Sequence, residues 1–562
     1  MNMTAAQSFK AFRDPMLTDQ TLLPRLAWLR DVVGPRLDKF LGYYRNPMTE
    51  LTQYLPGSPT ASLSVRPYRQ FQEMGLPARI TGFRTRPDGT PVPNGAVEVQ
   101  RKEVAIENDI AWRMHTLVDF VAGRMPAISS TAGDPALRKK ITALIAQLLD
   151  AAGSAALLQE LVLMGAIHGS AWLRIEPTAE LLAKLQSDAH GIGDGERVEG
   201  DTGGAAASSA ADAGGSGQDI ASMESPVVTV GENPLDITRW LHLKTVDATR
   251  ICPLPGAQDL RYVAVLERGD APAAAPRAGT LLQRLGAWIT RAAADSTVTN
   301  DFSFALFGPS HWQRYVHGTL AEEGDHPLGF VPFVRYLSQN DPAAGTRVGP
   351  AGSGAIDAGV SDVEPLIGLQ DELNTRLSDR AYRVTMTSFR MFLGKGIEGF
   401  TSRPVGPGQV WSTDNPDAAI DTFGGDTACP SEDAHINEVR EALDKISGVP
   451  PVAAGLIRGK VGNLTSAVAL RITLIALLAR AERKRAGLNE TLETLVQRVL
   501  ELLDRAGVLH STPADRGIDI NWPTPLPESD MDRLAEAQTK LALGIPRDVV
   551  LTELGYGEMA DK

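Results

Sequence analysis

The side chains that could do chemistry in this chain are cations able to touch phosphate, and they are few. Arg458 and Lys460 are the only charges in the loop 449–463, and Arg376, Arg380 and Arg383 recur at helical steps along one side of a helix. Weak, spaced cations can contact a polyanion without gripping it, whereas tight duplex binding needs a basic face that releases many counterions. Signals for catalysis are missing. The stretch Gly455-Leu-Ile-Arg-Gly-Lys460 lacks both the spacing of a phosphate-binding loop and the following hydroxyl that would hold Mg²⁺. No H-E-x-x-H, C-x-x-C or G-x-S-x-G occurs, so no catalytic residue, metal ligand or cofactor is expected. Asp530 and Asp532 stand at a helix start, where acids cap the positive end of the dipole. His168, at a helix end, has no His, Cys or Asp at motif spacing, and its ring is expected to hydrogen-bond locally.

The elements that must position these cations lie between Ser361 and Ala506. Ser361-Asp-Val-Glu364 reads as a capping box, with Pro365 in the first turn. Val363, Leu366, Ile367, Leu373, Leu377, Ala381 and Val384 then form one apolar stripe, with Asp371, Glu372, Asp379 and the three arginines around the rest. The arginines either face DNA or form intersubunit ion pairs with Asp371, Glu372 or the acids Glu438 and Glu441 of the next helix, and intersubunit pairing is the expected reading. That second helix starts at Ser431-Glu-Asp433, runs through Ile436, Val439, Leu443 and Ile446, and is stopped by Gly448 and Pro450-Pro451. After the loop comes a helix from about Thr465 to Ala506, about 60 Å long at 1.5 Å per residue if unbroken. Gly487 predicts a kink in its middle.

The whole chain sets wider bounds. Hydrophobic residues make up 43% and charged residues 22%, the balance of a globular protein with a sizeable core. A net charge of −13 argues against a DNA-gripping surface; it suits acidic channel walls that would repel phosphate and equally suits any acidic cytosolic protein, the commoner case. Cys252 and Cys429 form no redox or metal motif. The apolar run Ala155 to Leu173 is broken by Gln159, Glu160 and His168 and reads as a buried helix entering a strand, not a membrane span. With no signal-peptide blocks in Met1 to Arg13, a soluble cytoplasmic product is expected.

Along the N-terminal half, helices are predicted over Leu22–Leu55, Asn108–Ala127, Asp134–Ala152 and Leu157–His168. Arg66–Gly95 reads as an arm, either on the surface or wrapped around a neighbouring subunit. The insertion 190–225 is Gly, Ala, Ser and Asp, too poor in apolar residues to order itself. Strands are predicted at Val227–Val230, Trp240–Leu243, Tyr262–Leu266, Phe302–Phe307, Trp312–Val316 and Phe330–Tyr336, with a small helix within 271–294. An antiparallel sheet flanked by helices, an α+β fold, follows. After the long helix come a short strand at Ile518–Trp522, a helix from Met531 to Leu543, a Gly544-Ile-Pro-Arg547 turn and a last helix from Val549.

This order of parts resembles the portal proteins of tailed bacteriophages. The resemblance is sharpest over Gly359–Asp379, reading Gly-Val-Ser-Asp-Val-Glu-Pro-Leu-Ile-Gly-Leu-Gln-Asp-Glu-Leu-Asn-Thr-Arg-Leu-Ser-Asp. It extends to Gly165–Trp172, to the loop, and to the C-terminal Leu551-Thr-Glu-Leu-Gly555. The resemblance implies a portal fold with a helical stem, a small α/β clip, an α+β wing and a C-terminal helical crown. In that division 1–358 is arm and wing, 359–387 the first stem helix, 388–430 the clip and 431–448 the second stem helix. The tunnel loop is then 449–463, the long kinked wing helix 464–506 and the crown 507–562. It further implies a homo-oligomeric ring, twelve copies being the family's usual number, at one capsid vertex of the virion, assembled in the host cytoplasm. Double-stranded viral DNA would pass through it during packaging and ejection. The large terminase subunit, capsid and scaffolding proteins, and later head–tail adaptor proteins would dock on it. Val449, Pro450, Pro451, Arg458, Lys460 and Asn463 would then face the DNA channel, and Arg376, Arg380, Arg383, Glu438 and Glu441 would belong to the stem. A neck or tail adaptor, or a DNA-processing enzyme with an unrecognised site, are the competing readings.

Overall fold

The computed structural model describes residues 17–50, 68–81, 83–85, 91–93, 103–191, 236–255, 260–267, 303–342, 359–388, 391–397, 414–423, 429–455, 471–526, 530–545, 547 and 550–551. Helices α1 (Asp19–Trp28) and α2 (Gly34–Arg45) are joined by a π turn, Leu29–Val33. Pro35 accounts for it: a proline cannot donate to the carbonyl four residues back and its ring crowds that carbonyl. The backbone widens, and Gly34 N–H bonds Leu29 O instead. The rod stops at Arg45 with Asn46 in the left-handed region, φ 43°, ten residues before the predicted Leu55. Strand β1 (Met48–Glu50) follows and pairs antiparallel with β2 (Tyr68–Gln70). Beyond these lie α3 (Ala78–Thr81) and the paired β3 (Phe83–Thr85) and β4 (Pro91–Pro93).

Helix α4 (Asp109–Ala122) is capped by Asn108, whose side chain accepts from Ala111 N–H at 3.2 Å. After β5 (Ala127–Ser130), Asp134 caps α5 (Pro135–Ala151) in the same way. Then come α6 (Ala155–His168), β6 (Ser170–Pro177) and α7 (Ala179–Gly191). The strands β7 (Leu241–Val246), β8 (Ile251–Pro255), β9 (Leu260–Leu266), β10 (Phe304–Phe307), β11 (His311–Val316), β12 (Thr319–Asp325) and β13 (Phe333–Leu337) complete this half. They form two antiparallel sheets, ordered β13-β6-β7 and β12-β11-β10-β9-β8. Both edges of the larger sheet were hidden from pattern reading. Pro253 and Pro255 disguise β8, and β12, Thr-Leu-Ala-Glu-Glu-Gly-Asp, is an exposed acidic edge with little apolar alternation. The predicted strand 227–230 and helix within 271–294 lie outside the described residues, as does the insertion from residue 192 on.

The second half holds α8 (Ile367–Ser388), the paired strands β14 (Met391–Lys395) and β15 (Ala419–Phe423), α9 (Pro430–Ser447), the long α10 (Ile475–Arg505), β16 (Ile518–Asn521) and α11 (Asp530–Ala542). Strand β16 returns to pair with β5. Helix α10 buries Leu477, Ala481, Leu488, Leu492, Leu495, Val499 and Leu502 at three- and four-residue steps within the core that runs from α1 onward. At about 1.5–3 kcal/mol per fully buried aliphatic side chain, this stripe is a major term holding the halves together. Residues 471–473 are already helical, a break falls at Leu474, and the helix then runs from Ile475; its expected start near Thr465 lies outside the described residues. It continues through Gly487, whose bareness serves close packing: a methyl there would sit 2.5 Å from Leu337 O of β13. The whole is α+β with small antiparallel sheets. Among the described residues no single helix is long and apolar enough to cross a membrane. The bent pair α5 and α6, 67° apart, passes only when joined, and its apolar residues lie in the core.

Candidate channel stem and loop root

Helices α8 and α9 pack on each other, with Ile436, Val439 and Leu443 of α9 buried. They run antiparallel, so the end of α8 meets the start of α9. Arg383 pairs with Glu432, and Arg380 lies 3.1 Å from Asp433. Glu372 gathers Arg376 at 2.7 Å and His435 at 3.1 Å. All three arginines are therefore paired within the chain and not between subunits: Arg376 takes the expected Glu372, whereas Arg380 and Arg383 take acids other than the expected ones. Glu438 lies 3.7 Å from His435. Glu441 is exposed, and Asp371 is engaged by Tyr43. Helix direction explains the shift, since acids in the first turn of α9 are nearest to the last turns of α8. Exposed pairs contribute about 0–1 kcal/mol each, so they set register more than strength.

The rest of α8 departs from a simple apolar stripe. Val363, Leu366, Ile367 and Leu373 are buried, but Val384 and Met386 near its end are exposed. A polar stripe, Gln370, Asn374 and Ser378, is buried instead. Ser378 Oγ accepts from Ala105 N–H at 3.0 Å, Asn374 Oδ1 accepts from Glu107 N–H at 3.0 Å, and Gln370 Nε2 donates to Glu107 O at 2.5 Å. Asn374 Nδ2 also donates to Gln72 at 2.8 Å, and Arg79 pairs with Asp379. Gln72 and Arg79 of the expected arm thus touch α8 of their own chain.

Tyr43 O–H donates to Asp371 Oδ1 at 2.8 Å. Burial pushes the Asp371 carboxyl up to about 6, against the pull of Tyr43 and Lys39. A carboxyl whose folded value lies above its ordinary 3.8 favours the native state most when protonated, so its contribution is lost as pH rises from about 4 through 6. Asp371→Asn keeps an acceptor for Tyr43 and is expected to raise stability at pH 7–8 by about 1–2 kcal/mol, with no gain at pH 4. Thermal midpoints measured across that range check this. An equal gain at both ends would refute it.

At the far end of α9, Gly448 adopts φ 66° and closes the helix. Two arginines from different helices satisfy the carbonyls left over. Arg113 of α4, fully buried, donates to Val449 O at 2.9 Å and Ser447 Oγ at 3.1 Å, and its other nitrogen lies 2.7 Å from Asp444 and 3.3 Å from Asp109. Arg480 of α10 donates to Ser447 O. Cations at a helix C-terminus also suit its dipole. Val449 is fully buried, which corrects its expected place on a channel wall: it anchors the loop. Pro450 is half-buried and Pro451 opens a short 3₁₀ turn, Pro451–Ala454. Arg458, Lys460 and Asn463 lie outside the described residues.

The beginning of α8 is held as closely. Ser361 Oγ accepts from Val363 and Glu364 N–H and donates to Ile167 O at 2.5 Å. Only half of the expected capping box forms, because the Glu364 carboxylate turns to Arg36 at 2.7 Å. Asp362 N–H bonds Ala166 O at 2.8 Å. Beside them the backbones of Gly169, φ 88°, and Gly359 touch, with no room for a methyl on either. Asp362 also holds buried Lys484 at 2.5 Å, and Lys484 bonds Ser338 Oγ as well. Burial pulls the ammonium down and Asp362 draws it back. No pattern singled out Arg113, Asp362, Arg480 or Lys484, since a charged residue on a helix reads as solvent-facing until its packing is known.

His168 is buried, and neither ring nitrogen has a partner among the described residues, which corrects the local hydrogen bond expected of it. Burial holds it down to about 4, so it is neutral at physiological pH. Cys252 is buried with its thiol pushed up to about 12, far from a reactive thiolate. Among the described residues no group of three or more His, Cys, Asp or Glu could hold a metal ion.

A comparison with protein families finds a likeness over the part of the chain that holds the paired helices, the two-stranded ribbon, the loop root and the long helix. The matching family is described as phage portal protein, SPP1 Gp6-like, and the match spans residues 294–555. Portal proteins are a structural, non-enzymatic family. No curated protein matches the chain.

Proposed function

We propose that this chain is the subunit of a homo-oligomeric ring, of about twelve copies as is usual in the family, through which double-stranded DNA enters and leaves a phage capsid. The observation that carries it is the antiparallel α8/α9 pair, continued at one end by the β14/β15 ribbon and at the other by a loop root under α10, all inside the family match. The pair is the stem, the ribbon belongs to the clip, residues 449–463 are the tunnel loop and 507–562 the crown. Closing a head-to-tail interface would generate the ring. In this reading the clip docks the large terminase subunit during packaging and the head–tail adaptors afterwards, and capsid or scaffolding proteins surround the wing at the vertex of the virion.

With all three stem arginines paired internally, the loop cations Arg458 and Lys460 are the contacts with phosphate that this reading favours. Arg458→Glu with Lys460→Glu is expected to leave the assembly intact and to lower the yield of packaged DNA severalfold. Unchanged packaged DNA in that double variant removes the loop from the mechanism.

A further inference from the structure

One turn of α10 holds both stem helices at once. Lys484 binds Asp362, just before α8, and Ser338, just after β13, while Arg480 one turn earlier binds Ser447 O at the end of α9 and lies 3.7 Å from the same Asp362. Lys484, Asp362 and Ser338 are buried. The chain turns on either side of this point, at Gly359 before α8, which already touches Gly169, and at Gly448 after α9, with φ 66°. A hinge at either would have to pull Asp362 from Lys484 or Ser447 O from Arg480. We propose that the Arg480–Lys484 turn is a lock that cancels these two hinges, so that the stem helices and the long helix tilt as one body and a displacement of α10 is carried along the stem.

The choice of charge supports this. A buried ion pair adds little net stability over well-packed apolar side chains of similar size, because desolvation offsets the attraction. It is, however, directional and costly to separate, whereas apolar contacts can slide. Position, more than stability, is what such a pair supplies. Nothing in the lock depends on DNA passage, so it stands or falls separately from the portal reading.

The test uses the full-length chain with Asp362→Leu and Lys484→Met together, followed by thermal unfolding and amide hydrogen exchange. The expected result is a midpoint close to wild type and above that of Lys484→Met alone. Exchange at 363–367 and 447–449 should be faster by about tenfold or more, and that of 488–500 unchanged. Unaltered exchange at both stem ends, or equal loosening throughout α10, overturns the proposal. Should the double variant fail to fold, Arg480→Ala decides: exchange at 447–449 rises while 363–367 stays protected if the lock is real, and unchanged exchange at 447–449 refutes it.

Discussion

Arg113→Ala is expected to destabilise the protein by about 3–5 kcal/mol, the usual cost of removing one partner from a buried charge network. The guanidinium is fully buried and serves Asp109, Asp444, Ser447 Oγ and Val449 O together. Without it, the buried Asp109 loses its cation and the end of α9 loses its cap. Arg113→Lys recovers little, because an ammonium cannot present the planar fork that reaches four acceptors at once. Chemical unfolding of the three proteins checks the order wild type, lysine, alanine. A loss under about 1 kcal/mol for alanine would mean that the loop root is held by something else.

Gly359→Ala is expected to cost about 3 kcal/mol or more. The added methyl would overlap Gly169 O and the adjoining backbone, which has no side chain that can swing aside. Separating the two segments also strips the bonds from Ser361 Oγ to Ile167 O and from Asp362 N–H to Ala166 O. Gly169→Ala should be comparably damaging, since it meets the same backbone at φ 88°. Near-normal thermal midpoints for both would show that the crossing can open cheaply.

Two of the stretches that carried the family resemblance, Gly165–Trp172 and Gly359–Asp379, thus meet in space at a contact only glycines permit. Periodicity showed α4, α5, α6, α8 and α9 well, because each buries one face, and Gly448 with the prolines behind it marked the end of α9. What stayed illegible depends on distance along the chain. The choice of Glu432 and Asp433 over Glu438 and Glu441 follows from helix direction, which residue spacing does not encode. The burial of Arg113 and Lys484 follows from packing between segments more than a hundred residues apart. Gly487 suggested a kink by type, yet its neighbour in β13 explains it better. The polar stripe of Gln370, Asn374 and Ser378 was visible at four-residue steps, and only the extended segment laid along it reveals that it faces inward.

Electron microscopy of the purified full-length chain, averaged down the particle axis, tests the central claim most directly. The account predicts annular particles with a hole that admits duplex DNA, with α8 and α9 around it and residues 451–455 on the inner wall. Solitary globules, or rings carrying residues 451–455 on their outer surface, would contradict it.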